Sequence, residues 1–359
     1  MRTSRTTGII GGTPGGSAIA HSRFFATALT VAALTAAGSA LAQSNFATPA
    51  ENGAERPAQT HWAPYRANWT TPPSVDQHLE DPILDGAIDL HAHHGPDVYP
   101  RQWDAFEVAE LAAERGMRAI VIKNHWTETA GLAWLIRKYG AQGIEVFGSL
   151  TLDTPVGGVN PQAVRYMVDV IGGYGRIVWM PTHDSEHEVK FLNQDRPYVS
   201  VSRDGVLLPE VLEVLDLIAE HDLTLATGHV TPAEALMILG EARRRDITKL
   251  IVTHPLLGEQ FTNMSDEELA AAVELGGCVE ITANTLYGTG PSRERTFSLI
   301  RSLGAENIFV GSDSGLIGTP NHPDALVMAA RALREAGFSE AELDLMFKSN
   351  PARLIGLED

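Results

Sequence analysis

The chain has 359 residues, 44% hydrophobic and 20% charged, a mix that suits an ordinary globular protein. Its formal net charge of -18 tells against nucleic acid, whose phosphates need clustered Lys and Arg, and against docking on an anionic membrane surface. The partner left by these numbers is a small molecule, with a homo-oligomer still open.

The first residues read as a leader. Arg2, Arg5 and Arg23 are the only charges before Glu51, and the apolar run Phe24 to Ala37 leads into Gly38-Ser39-Ala40-Leu41-Ala42-Gln43. Positive charge, a short apolar run and Ala-x-Ala form the order that a signal peptidase reads. The run is shorter than the roughly 20 residues of a membrane-spanning helix. Residues 1–42 are therefore expected to be cleaved, leaving a periplasmic or secreted protein that no longer touches the membrane. Residues 43–84, rich in Pro, Asn, Thr and Ala, read as a linker or N-terminal wrap, part of which Trp62, Tyr65 and Trp69 would pack.

From residue 85 to the end, short apolar runs alternate with amphipathic ones, the pattern of βα units around a parallel sheet. The runs are Ala87–His91, Ala119–Lys123, Ile144–Leu150, Ile177–Met180, Leu223–Thr227, Leu250–Thr253, Val279–Thr282 and Ile308–Gly311. They are β-branched and apolar on both faces, as strands covered by helices must be. Eight of them predict a (β/α)8 barrel. Thr231-Pro232-Ala233-Glu234, Ser265-Asp266-Glu267-Glu268 and Ser339-Glu340-Ala341-Glu342 mark helix starts, and Asn160-Pro161 opens another. The connection Thr182 to Leu208 carries no helical pattern; its Arg203-Asp204-Gly205 predicts a hairpin, and its length predicts a lid over the barrel mouth. Cys278, the only cysteine, can form no intrachain disulfide and reads as a small buried hydrophobe.

The chemistry gathers at strand ends. His91 and His93 close the first strand, and alternation along a strand aims both the same way. His229 follows the fifth strand, His254 the sixth and Asp313 the eighth. All lie at C-terminal strand ends, the face where barrel enzymes keep their active sites. Imidazole and carboxylate together suit a divalent metal: zinc first, manganese or iron as alternatives, as one ion or two. A lone His-x-His says little, but five such residues at four strand ends are hard to assign to packing, because buried histidines need partners. Competing motifs fail on context: Gly8 to Gly16 lies in the leader, and Gly311 to Gly315 centres on Asp313 where a nucleophile elbow has serine.

This pattern resembles the amidohydrolase superfamily of metal-dependent TIM-barrel hydrolases, whose members carry His-x-His on strand one, His on strands five and six, and Asp on strand eight. The resemblance runs from about Gly86 to the closing Asn350-Pro351-Ala352-Arg353-Leu354-Ile355-Gly356-Leu357. The wording Asp89-Leu90-His91-Ala92-His93-His94-Gly95-Pro96-Asp97, with Lys123-Asn124-His125, looks like a poorly characterised branch. It implies metal ligation by His91, His93, His229, His254 and Asp313, with Asp313 as general acid and base. One departure stands out: two-metal members bridge their ions with a carboxylated Lys or a Glu at the end of strand four, and Trp179-Met180-Pro181-Thr182-His183-Asp184 offers neither.

Other groups at the mouth have open roles. Lys123 could be a carboxylated ligand, a substrate clamp or a cation paired to Asp97. Glu280 could reach the metal or brace a histidine. His125 could touch substrate or make an ordinary hydrogen bond. Arg101 could hold a substrate carboxylate or pair with Asp97. His183 and His187, in the lid, read equally well as surface residues. The expected reaction is hydrolysis of an amide, a lactone or other ester, or a phosphoester. Its rivals are a mononuclear decarboxylase-type barrel and a non-catalytic periplasmic binding protein that keeps a structural metal.

Overall fold

Strands that are apolar on both faces need cover on both, from helices on each side of an open sheet or from helices outside a closed one. In the computed structural model, which describes residues 77–288 and 291–357, they form one eight-stranded parallel sheet. Residues 1–42 and the aromatics Trp62, Tyr65 and Trp69 lie outside the described residues. The strands are β1 (Ile88–His93), β2 (Ala119–Lys123), β3 (Glu145–Thr151), β4 (Gly175–Trp179), β5 (Thr224–Ala226), β6 (Leu250–Val252), β7 (Gly277–Thr282) and β8 (Ile308–Gly311), each paired to the next in chain order. The seam closes past β8: the Asp313 N–H donates to the His91 carbonyl at 3.0 Å, and the His93 N–H to the Ser314 carbonyl at 3.2 Å. Asp89, wholly buried, crosses the same seam by accepting the backbone N–H groups of His91 and Ser312, each at 3.0 Å. The predicted (β/α)8 barrel is the observed one.

Side-chain alternation sets what points inward. Along β2, Ala119 and Val121 join Phe147 and Trp179 in the inner cluster, while Ile120 and Ile122 pack outward with the helices. The same rhythm carries Lys123 to the inside of the mouth. β1 breaks it. Its register against β2 slips by one residue between Asp89 and Ala92. Ile88 and Leu90 lie in the inner cluster, and the extra residue then hands the inward positions to His91 and His93. Ala352, Leu354 and Ile355 of the closing segment complete the inner cluster, and Asn350 fastens that segment by donating to the carbonyls of Ala305 and Ile308.

The connection after β4 contains the expected hairpin, Ser202–Arg203 with Val206–Leu207. It also contains what the sequence reading missed, a short helix, Glu186–Phe191, started by the Ser185 hydroxyl accepting the Glu188 N–H. Before β1, the turn Pro82–Leu84 buries Ile83 and Leu84, and the Asp324 carboxylate accepts the N–H groups of Gln77, His78 and Leu79. The end of the predicted wrap is thus packed on the barrel. Among the described residues, no helix is long and apolar enough to cross a membrane.

Candidate metal centre

The slip in β1 brings the first two histidines together: His91 Nε2 and His93 Nε2 stand 3.1 Å apart. Asp313 Oδ1 lies 3.2 Å from each. Asp313 has φ of +49°, a left-handed conformation uncommon outside glycine, and Gly315 (φ +121°) passes so close to the His93 carbonyl that a Cβ there would sit 2.4 Å from its oxygen. The turn after β8 is therefore shaped to deliver that carboxylate. Lys123 Nζ, wholly buried and 4.0 Å from the centre of the Trp179 ring, donates to His91 Nε2 at 2.9 Å.

Facing this group, His229 Nε2 and His254 Nε2 stand 3.2 Å apart. Gly228 (φ +67°) makes the approach feasible, since a Cβ there would meet the Met180 carbonyl oxygen at 2.3 Å. Two buried glutamates turn the imidazoles. His91 Nδ1 donates to Glu280 Oε1 at 2.6 Å, while Glu280 Oε2 accepts the His254 backbone N–H at 3.1 Å. His229 Nδ1 donates to Glu188 Oε2 at 2.7 Å, and His183 Nδ1 to Glu188 Oε1 at 2.8 Å. Each carboxylate holds a ring by Nδ1 and presents Nε2 to the cavity, the arrangement that orients metal-binding histidines. Glu188 and His183 were not among the expected site residues; the Ser185-x-x-Glu188 pattern was the signal that could have found them.

Burial, then the nearby positive charge of Lys123 for His91 and of Arg101 for His93, holds both imidazoles neutral well below their usual range. Burial brings His229 and His254 to about 4. Asp313 is pushed up by burial but held below the usual carboxylate range by His91, His254, Lys123 and Arg101, so it is ionised. Burial raises Glu280 to about 7 and lowers Lys123 to about 8. Burial would neutralise His183, yet the Glu188 carboxylate raises it on balance, and the same pairing holds Glu188 far below its ordinary value.

His91 and His229, their Nδ1 protons committed to Glu280 and Glu188, turn Nε2 lone pairs to the cavity, beside the Nε2 atoms of His93 and His254 and the ionised Asp313 carboxylate. The donor set therefore fits a divalent ion. His91, His93 and Asp313 form one candidate group; His183, Glu188 and His229 form another.

These residues open on a cavity of about 370 Å³. Its apolar wall is Leu257, Phe261 and Leu316; Tyr99, Arg101, His125, Asn284 and Thr319 supply the polar remainder. The geometry answers several open roles. Asp97 pairs with Arg101 at 2.6 Å and not with Lys123, while Arg101 Nη2 lies 3.3 Å from His93 Nδ1. His125 Nδ1 bonds the Thr182 hydroxyl. His94 turns away to the Gly95 carbonyl, and His322 props the His93 carbonyl at 2.8 Å. His187 reaches the Glu259 carbonyl outside the cavity. Cys278 is buried, its thiol pushed up to about 12, and fits the packing role expected of it.

Solved structures similar in fold include an amidohydrolase from Pseudomonas aeruginosa (TM-score 0.53, 14% identity, 76% of this chain and 97% of that one). Another is an organophosphorus hydrolase from Deinococcus radiodurans (TM-score 0.50, 16% identity, 76% and 93%). A third is an amidohydrolase from Burkholderia multivorans (TM-score 0.50, 15% identity, 76% and 99%). No curated protein sequence matches the chain. The sequence profile of a family of unknown function, DUF6282, matches residues 86–280, from the lead-in to β1 through most of β7. That span exceeds half of the chain and holds every candidate ligand except Asp313, so the protein belongs to the DUF6282 family.

Proposed function

We propose that this protein is a metal-dependent hydrolase of a small molecule, cutting an amide, a lactone or other ester, or a phosphoester. The observation that carries the reading is the convergence of His91 Nε2, His93 Nε2 and Asp313 Oδ1 within 3.2 Å of one another at a cavity of about 370 Å³. The fold, shared with structures named as amidohydrolases and an organophosphorus hydrolase, supports it by analogy.

His91, His93, His229, His254 and Asp313 would hold the ion, and imidazole with carboxylate favours zinc over manganese or iron. A bound dication supplies Lewis acidity towards a carbonyl or phosphoryl oxygen and makes water more acidic. The chain does the rest. Asp313, ionised and reaching into the cavity, takes a proton at its carboxylate and returns it to the leaving group. Glu280 and Glu188 keep His91 and His229 in the tautomer whose Nε2 faces inward. Leu257, Phe261 and Leu316 exclude bulk water from the substrate.

The test is a screen of purified protein, metal content measured, against amides, lactones and phosphoesters, followed by Asp313→Asn. The variant keeps shape and weak ligation but cannot take the proton. Normal folding, most of the metal and a ~10²–10⁴-fold loss of turnover are expected. Turnover within a few fold of wild type would overturn the assignment.

A further inference from the structure

One hydrogen-bonded chain runs from the interior to the cavity wall without serving the candidate ligands. It begins at Asp153, wholly buried just past β3. Its Oδ1 accepts the backbone N–H groups of Thr182 at 2.8 Å and Asp184 at 3.2 Å, and its Oδ2 accepts the Thr182 hydroxyl at 2.5 Å. A hydroxyl has a single hydrogen to give. Once committed to Asp153, the Thr182 oxygen can only accept, and the atom facing it, 2.7 Å away, is His125 Nδ1. His125 is thereby fixed as the Nδ1–H tautomer, with its lone pair on Nε2.

That lone pair belongs to the cavity. The ring of His125 lines it, stacked on His93 with centroids 4.8 Å apart. Among the described residues Nε2 has no hydrogen-bond partner, and the ring is too deeply buried to swing away (3% exposed). A ring kept only for packing would need no committed tautomer; this one offers an acceptor beside the candidate metal ligands.

We propose that His125 orients the substrate by accepting a hydrogen bond from a substrate N–H or O–H, with Thr182 and Asp153 as the positioning residues that keep it an acceptor. The inference rests on the hydrolase reading for the reaction and adds a substrate class to it, the secondary amide. Such a group carries an acceptor oxygen and a donor N–H on adjacent atoms, pointing to opposite sides of the planar C–N bond, one suited to the ligand cluster and one to His125. An ester of the same shape lacks the donor.

Two measurements test this separately. Long-range ¹H–¹⁵N spectra of zinc-loaded, ¹⁵N-histidine-labelled protein at alkaline pH, above the value of about 7 to which burial and Asp184 raise Asp153, report the tautomer. The His125 signals are identified by their loss in His125→Gln. Wild type and Thr182→Ser are expected to give Nδ1–H, and Thr182→Val, with no hydroxyl, a mixture. The second is kcat/KM for matched aryl acetamides and aryl acetates. In Thr182→Val the amide-to-ester ratio should fall about 10-fold, in line with one lost hydrogen bond, and return in Thr182→Ser. An Nε2–H tautomer in wild type overturns the proposal. So does a ratio unchanged within twofold, or loss of zinc from His125→Gln, which would make the ring a ligand. Failure of wild type to turn over any substrate would count against the hydrolase reading, and the spectrum alone would then decide the role of His125.

Discussion

Replacing Glu280 by Gln isolates the contribution of one buried carboxylate to metal binding. Glu280 accepts two hydrogen bonds, from His91 Nδ1 at 2.6 Å and from the His254 backbone N–H at 3.1 Å. A glutamine of the same size has one accepting end and one donating end. The backbone N–H can only donate, so the amide oxygen must face His254. The NH₂ end is then left against His91 Nδ1, which has to give up its proton and become the acceptor. That proton moves to Nε2, the atom that stands 3.1 Å from His93 Nε2, and closes the lone pair the metal would use. Loss of such a supporting partner typically lowers metal affinity ~10–100-fold, or about 1.4–2.7 kcal/mol. Zinc competition against a chromophoric chelator reads the change, and thermal unfolding confirms that the isosteric variant still folds. A folded Glu280→Gln protein that binds zinc within twofold of wild type would refute the tautomer argument.

Lys123→Met keeps the apolar stem over Trp179 but removes the buried ammonium. If Lys123 orients substrate, zinc content should be unchanged and KM should rise about 10-fold or more, as for a lost charged hydrogen bond; halved metal content would instead identify a bridging carboxylated lysine. Asp324→Asn tests the anchor of residues 77–79. Burial raises the Asp324 carboxyl, but the N–H groups of Gln77 and Leu79 and the Arg115 guanidinium outweigh it, so its folded-state value is lowered. That stabilisation is complete above the ordinary carboxylate value and is lost as pH falls through the lowered one. Breaking the buried pair should cost about 3 kcal/mol near neutrality. The gap in thermal midpoint between variant and wild type should close in acid, and a pH-independent gap would contradict the assignment.

The barrel was legible because its strands are short apolar runs at regular intervals, and tertiary structure moved their limits by only a residue or two. The candidate ligands were legible for the same reason: a histidine just past such a run can hardly avoid the mouth. Physical effects without a local signal were not. The slip in β1 is a property of pairing with β2, and nothing in Asp89-Leu90-His91 announces it. Alternation alone would aim His91 with Asp89 and opposite to Leu90; instead Leu90 fills the interior and His91 still faces the site. The tautomers of His91, His125 and His229 depend on Glu280, Thr182 and Glu188, which lie 189, 57 and 41 residues away. For Arg101 the sequence left a substrate carboxylate or Asp97 as partners, and the fold supplies Asp97.

Glu188 is the instructive omission. The sequence offers neither a Lys nor a Glu at the end of β4, and the connection beyond it carries no visible periodicity because its helix, Glu186–Phe191, is too short to have one. Ser185-Glu186-His187-Glu188 nevertheless has the spacing of the capping boxes at Ser265 and Ser339. At those sites the glutamate turns back to the cap N–H; here Ser185 still accepts the Glu188 N–H, but the carboxylate turns inward to His183 and His229. The expected lid is accordingly fastened. The Arg196 guanidinium pairs with Asp184 and reaches the His183 carbonyl, both with little exposure, and Val199 bonds Asp184 and Glu186 through the backbone. The two halves of the site therefore rest on different supports. His91 is braced by Glu280 from within the barrel, so its geometry is as firm as the strands themselves. His229 is braced from the connection, so its orientation requires that segment to be folded against the mouth, and loosening the Arg196 contacts would disturb this half first.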